Sequence, residues 1–249
     1  MLRDSGVSKI NFAGGEPFMH PTLLGKMVKY CKRDLKFPCV QVTTNARLVR
    51  SEWMDVFGGP YVDLMTLSID SFDEKVNRSI GRGRGDHAKH VRRVSNMCRE
   101  HDVGIKINTV ICRENVDEDM RESIRRIDPI RWKVVQMYLV DGMNHQTGDP
   151  DRDVPHLTVT DEEFQTFVRR HEADVPYLFA ETNERFVGAY LLLNERMCFL
   201  STGEGGVESD SILDVGVHEA MAQCDYSTEQ FDRREGSYFF SNAETSAGL

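Results

Sequence analysis

Apolar positions along this chain follow two rhythms that take turns. Residues 8–12 alternate, Ile10 and Phe12 with Lys9 and Asn11, and read as a strand. After the turn Gly14-Gly15-Glu16-Pro17, a helix opens at His20-Pro21 and runs to about residue 33, with Leu24, Met27, Val28 and Cys31 at helical spacing. The exchange then repeats. Strands are expected at 38–44, 61–69, 103–111 and 131–140, and helices at 51–57, 86–101 and 115–127. Ser71-Phe72-Asp73-Glu74 has capping-box spacing and starts a short helix. Thr160-Asp161-Glu162-Glu163 has it too, ahead of a helix to about residue 171. Asn115 is expected to cap the 115–127 helix and Asp128-Pro129 to end it. Residues 141–155 read as a long polar loop, 188–193 and 197–200 as hairpin strands, 212–224 as holding a short helix, and the last ten residues as an irregular tail.

Strand–helix alternation implies a parallel sheet with helical crossovers. A doubly wound sheet buries both faces, so its strands read as near-continuous apolar runs. Several strands here do not. Lys9 and Asn11, Lys106 and Asn108, and Arg131 and Lys133 each project to one side of their strand while apolar neighbours project to the other. Helices would cover the apolar side and leave a polar side facing something wet or charged. An open barrel with an occupied lumen satisfies this.

At 249 residues the chain is long enough for one large domain with a full core. No apolar run approaches the roughly 18 residues of a membrane-spanning helix, and the first residues do not read as a signal peptide. A cytoplasmic location is expected. The net charge of −9 argues against direct nucleic-acid binding, which needs a clustered basic face. The six cysteines, at 31, 39, 98, 112, 198 and 224, contain no CxxC or CxxxC pair, so no short-spaced zinc or iron–sulfur pattern exists. Buried, reduced thiols are expected.

Within this acidic chain, Lys9, Lys106, Arg131 and Lys133 would make a basic pocket if their strands line one lumen. A polyanion such as a triphosphate is its natural guest, although lysines near strand ends also snorkel to solvent. Gly14-Gly15-Glu16-Pro17 directly follows a strand, where α/β barrels bind ligands and where glycine lets a ligand approach the backbone. Gly81-Arg82-Gly83-Arg84-Gly85 lacks the ending of a phosphate-binding P-loop and reads either as a mobile loop offering an arginine to an anion or as a solvated linker.

These residues together resemble the viperin-like radical S-adenosylmethionine (SAM) enzymes. The likeness rests on residues 9–18 (KINFAGGEPF), 67–74 (LSIDSFDE), the Ile80-Gly81-Arg82-Gly83 loop, Lys106-Ile107-Asn108, Arg131-Trp132-Lys133-Val134 and residues 211–217 (SILDVGV), in order over nearly the whole chain. It implies an α/β fold, a partial (β/α)6 radical SAM barrel with a C-terminal extension that closes over substrate. Residues 1–140 would form an incomplete barrel core, and 141–249 the remaining barrel elements and the extension. It also implies a nucleotide dehydratase of antiviral defence, a lyase using SAM and a [4Fe–4S] cluster to convert a nucleoside triphosphate, CTP foremost, to its 3′-deoxy-3′,4′-didehydro analogue.

By position, Gly14, Gly15, Glu16, Asn45, Ser68 and Arg82 would hold SAM. Lys106, Arg131, Lys133 and Arg234 would grip the triphosphate, Lys9 and Asn108 would lie by the nucleoside, and Tyr190 would act at the ribose. Cytosolic iron–sulfur assembly factors are implied partners of a full-length form. Several departures qualify the likeness. The family's CxxxCxxC loop lies upstream of the GGEP turn, and only 13 residues, none of them Cys, precede Gly14. The expectation is an N-terminally truncated barrel without cluster ligands, either an inactive or cluster-free nucleotide-binding chain or a piece of the enzyme. Ala13 stands where vertebrate members have Ser, residues 201–210 lack a family Lys, and the C-terminus lacks the family's aromatic end.

Overall fold

The computed structural model describes residues 1–82, 85–137, 157–203 and 206–233. Six strands, β1 (Lys9–Phe12), β2 (Cys39–Thr44), β3 (Leu64–Ser68), β4 (Gly104–Ile111), β5 (Arg131–Gln136) and β6 (Leu178–Glu181), form one sheet in sequential order. Every neighbouring pair is parallel. β1 and β6 are the two edges of this wall, so among the described residues it is an open barrel segment rather than a doubly wound sheet.

The helices between these strands are α1 (Pro21–Lys29), α2 (Ser51–Tyr61), α3 (Glu74–Ser79), α4 (His87–Glu100), α5 (Arg121–Ile127) and α6 (Asp161–Glu172). Their apolar stripes meet the apolar side of the sheet. On α4 the buried positions Ala88, Val91, Val94, Ser95 and Cys98 recur at helical spacing, which is what a helix lying on a sheet requires. Val40, Val42, Met65, Leu67, Ile105, Ile107, Trp132 and Val134 share one core with Leu24, Val28, Met54, Ile124, Phe164 and Phe167 from the helices. The Trp132 indole N–H still finds an acceptor there, Thr109 Oγ1 at 3.0 Å.

Beyond β6, α7 (Asn183–Phe186) leads to a small antiparallel sheet of β7 (Leu192–Leu193), β8 (Cys198–Leu200) and β9 (Glu208–Ser211), followed by α8 (Val217–Ala222) and α9 (Thr228–Arg233). Phe199, Ile212, Val217 and Ala220 make a second, separate core there.

Most expected elements form, with displaced ends, and some expectations need correction. β6, α7, β9 and α9 were not anticipated: each is only four to six residues long, too short to show a period. The Thr160–Glu163 capping box is present in full. The capping box expected at Ser71 is not. Asp73 caps α3, its carboxylate accepting from Lys75 N at 2.7 Å, while the Ser71 hydroxyl is held by the Glu118 carboxylate at 2.5 Å. Asn115 caps no helix, since α5 begins only at Arg121. Its amide donates to the carbonyls of Asp70 (2.6 Å) and Val110 (2.8 Å) and its carbonyl accepts from Cys112 N (2.8 Å), sewing the ends of β3 and β4 together. Asp128, in the left-handed region at φ 51°, does end α5. The expected 141–155 loop and the last ten residues lie outside the described residues, as does the 138–140 end of the fifth expected strand.

Candidate functional site

Register puts the polar residues on one face. Thr66 pairs with Lys106 and Lys106 with Arg131; one step further along, Ser68 pairs with Asn108 and Asn108 with Lys133. Asn11, Gln41 and Thr43 extend the same face across β1 and β2, where Thr43 Oγ1 donates to Asn11 Oδ1 at 3.0 Å and Gln41 Nε2 to Thr66 Oγ1 at 2.5 Å. Lys106, Arg131 and Lys133 are therefore brought together, as the alternation in their strands predicted. Lys9 is not grouped with them: it sits three strands away, paired with Cys39 at the start of β2.

Two buried polar atoms on this face have no partner among the described residues, the carbonyl oxygens of Gln41 and Asn108. A buried polar group left unpaired is costly, so such atoms mark places where a ligand or water completes the structure. Asn108 lies directly between Ser68 and Lys133 in the register.

The β5–β6 end of the face carries a knot of charged groups. Arg131 lies over the Phe179 ring, 4.0 Å from its centroid. Lys133 forms an ion pair with Glu181 and contacts the Tyr190 hydroxyl, which donates to both Glu181 oxygens at 2.6 and 2.8 Å. Tyr190 thus stands beside Lys133 and Glu181. Glu181 was not foreseen, because the strand that carries it was missed.

At the C-terminal ends of β1–β3 the loops form a second compartment. Gly14 and Gly15 both have positive φ (84° and 52°), and the space that a Cβ on either would occupy is open, so a ligand can approach the backbone. Glu16 fixes this turn to the end of β2: one oxygen accepts from Phe18 N (3.1 Å) and Thr44 Oγ1 (2.7 Å), the other from Asn45 N (2.8 Å). Arg82 is held by the Asp70 carboxylate, whose other oxygen accepts from Val110 N at 2.9 Å. The Ser68 carbonyl contacts His87 Nε2 at 2.7 Å. Asn45, Gly81, Arg82, Arg47, Asp86, His87 and His90 line a cavity of about 210 Å³ here. Asp70 and His87 were missed as site residues. For Asp70 the signal was its place directly after an apolar strand; for His87 the sequence holds none. Arg234 lies outside the described residues.

Open glycine backbone, a carboxylate-anchored turn, Asn45 and a fixed guanidinium give this compartment donors and acceptors for a small polar ligand. An iron–sulfur cluster finds no such fit. Cys31, Cys39, Cys98, Cys112 and Cys198 are buried and free, Cys224 half-buried and free. Among the described residues no three His, Cys, Asp or Glu side chains converge as a metal would need. Cluster ligands are thiolates, whereas burial pushes the Cys98 thiol up to about 12.

Comparison with known proteins gives the family. Residues 1–127 match the Radical SAM superfamily. The chain is 43% identical to "S-adenosylmethionine-dependent nucleotide dehydratase RSAD2" of Oncorhynchus mykiss, over 98% of this chain and 71% of the relative. It is 41% identical to the protein of the same name from Danio rerio (98% and 68% covered). Identity is 31% to the S-adenosylmethionine-dependent nucleotide dehydratase of Flammeovirga pacifica (95% and 79% covered). Among solved structures, "Native anSMEcpe with bound AdoMet" superposes with a TM-score of 0.63 at 11% identity, over 93% of this chain and 70% of the other, a likeness of fold.

Proposed function

The chain belongs to the S-adenosylmethionine-dependent nucleotide dehydratases of the radical SAM superfamily, and on that premise we propose that its polar sheet face receives SAM and a nucleoside triphosphate side by side. The reaction proposed is the family's lyase chemistry, loss of water from the ribose of CTP to give the 3′-deoxy-3′,4′-didehydro analogue. The observation that carries the substrate half is the register that sets Lys106 beside Arg131 and Asn108 beside Lys133 on one face, with the Asn108 carbonyl buried and without a partner among the described residues.

SAM, when bound and reductively cleaved to methionine and a 5′-deoxyadenosyl radical by an electron from the family's [4Fe–4S] cluster, would supply hydrogen-atom abstraction from the ribose. The chain's own residues do the rest. Gly14 and Gly15 admit the cofactor to the backbone, Glu16, Asn45 and Ser68 surround it, and Asp70 aims Arg82 at it. Lys106, Arg131 and Lys133 take the phosphates through charge-assisted hydrogen bonds. Asn108 offers its free acceptor to the nucleoside, Lys9 faces the chamber from the far strand, and Tyr190 presents its hydroxyl toward the ribose. The chain's own cysteines are assigned no role in this reading. Their dispersal supports a second reading, in which this chain binds nucleotide without a cluster.

The two compartments should be separable. Arg82→Ala should weaken SAM binding and leave CTP binding unchanged, and Lys106→Ala should do the reverse, both measured by calorimetry. If each substitution weakens both ligands equally, or neither, the assignment of the two compartments fails.

A further inference from the structure

A pocket built for phosphates has little use for a buried carboxylate, yet Glu181 is one. It lies on β6 with its side chain 1% exposed, ion-paired with Lys133, which is itself 10% exposed. The Tyr190 hydroxyl donates to both of its oxygens and touches the Lys133 ammonium, which lies 4.9 Å from the Tyr190 ring centroid. Phe186 packs on that ring at 5.0 Å. One strand thus supplies the cation, the next the carboxylate, and the segment after α7 the phenol.

Burying an ammonium without a counter-charge is strongly unfavourable, and removing water from it is the larger part of the cost. Glu181 offsets that cost. The same charge opposes a polyanion that approaches Lys133, because two negative groups would then share one ammonium. The pairing also fixes the phenol: with both carboxylate oxygens accepting, the Tyr190 hydroxyl has one direction to point.

We infer that Glu181 is a positioning residue for nucleotide recognition. It is a resident counter-ion that keeps Lys133 aimed, together with Tyr190, and that holds down the affinity for polyanions. This inference rests on the phosphate-pocket reading above and adds to it a residue that works against binding while ordering the groups that bind.

The test is calorimetric titration of CTP, CMP and cytidine into the parent chain and into Glu181→Gln and Glu181→Asp, with a thermal melt of each. Glu181→Gln removes the charge but keeps an acceptor for Tyr190. It should bind CTP roughly three- to thirtyfold more tightly, CMP less so, and cytidine unchanged, since the lost repulsion scales with ligand charge. Glu181→Asp draws the carboxylate back from Lys133 and should tighten CTP binding by a smaller factor. The gain should follow ligand charge, largest for CTP and absent for cytidine, which a merely structural ion pair would not predict. A folded variant of either kind that binds CTP no tighter than the parent overturns the inference; if Glu181→Gln does not fold, the Asp variant decides. Arg131→Ala in the same series separates the two ideas. If it weakens CTP while Glu181→Gln does not tighten it, the phosphate pocket stands and the counter-ion role falls. If the parent binds no CTP, both fall.

Discussion

His171 offers a test of the helical layer that leaves the chamber untouched. Its ring is fully buried on α6, stacked on Phe167 with centroids 4.1 Å apart and edge-on to Trp132 at 5.3 Å. Nδ1 faces the Phe167 carbonyl at 2.7 Å, and Nε2 accepts from the backbone N–H of Met120 at 3.1 Å, at the start of α5. The ring is therefore neutral with its proton on Nδ1. Burial lowers its pKa; Asp119, 3.8 Å from Nε2, pulls the other way, and Arg170 and Arg121 reinforce the lowering. His171→Phe keeps the stacking but strands the Met120 N–H, a cost of about 1–3 kcal/mol, or roughly 0.3–1 M in urea midpoint at a slope near 3 kcal/mol/M. A histidine with a depressed folded pKa contributes its full stabilisation above its unfolded value of about 6.5 and loses it as pH falls below that. The gap between parent and variant should therefore be widest near pH 7.5 and shrink toward pH 5.5 in urea titrations followed by circular dichroism. A gap that stays constant across that range, or widens in acid, refutes the neutral, acceptor role of His171.

Three further outcomes are expected. Gly59→Ala would place a Cβ 2.3 Å from the His101 carbonyl oxygen, where α2 meets the end of α4, and should destabilise the fold by roughly 1–3 kcal/mol in the same urea assay. Anaerobic treatment with iron and sulfide should give this chain no broad visible absorbance, because its six cysteines are dispersed; a stable chromophore with matching iron content would contradict that. Among the described residues β1 pairs only with β2, so its outer edge is open and the chain should self-associate as concentration rises, seen by light scattering; a monodisperse, cooperatively melting protein would contradict this.

The wall of the barrel was legible in the sequence because its strands carry opposite chemistries on alternate residues. Lys106 and Asn108 against Ile105 and Ile107 announce two faces, and the register of β4 with β5 then sets Lys106 beside Arg131 and Asn108 beside Lys133. The glycine turn was legible for a similar local reason, its two positive φ angles being ones that favour glycine. What the sequence hid was long-range. Asn115 looks like a helix cap beside its neighbours, and only the meeting of Asp70 and Val110 at adjacent strand ends gives it other work. Glu181 sits in a four-residue strand whose residues, Leu-Phe-Ala-Glu, show no period, and its importance comes from Lys133, far back in the chain, and from Tyr190 beyond α7.

The most direct test of the account is calorimetric titration of CTP and cytidine into the parent chain and into Arg131→Ala and Lys133→Ala. Each charged contact to phosphate contributes about 1.5–3 kcal/mol, so either substitution should weaken CTP binding on the order of tenfold to a hundredfold while leaving cytidine nearly unaffected. CTP binding as tight in both variants as in the parent would mean that the polar sheet face is no phosphate pocket.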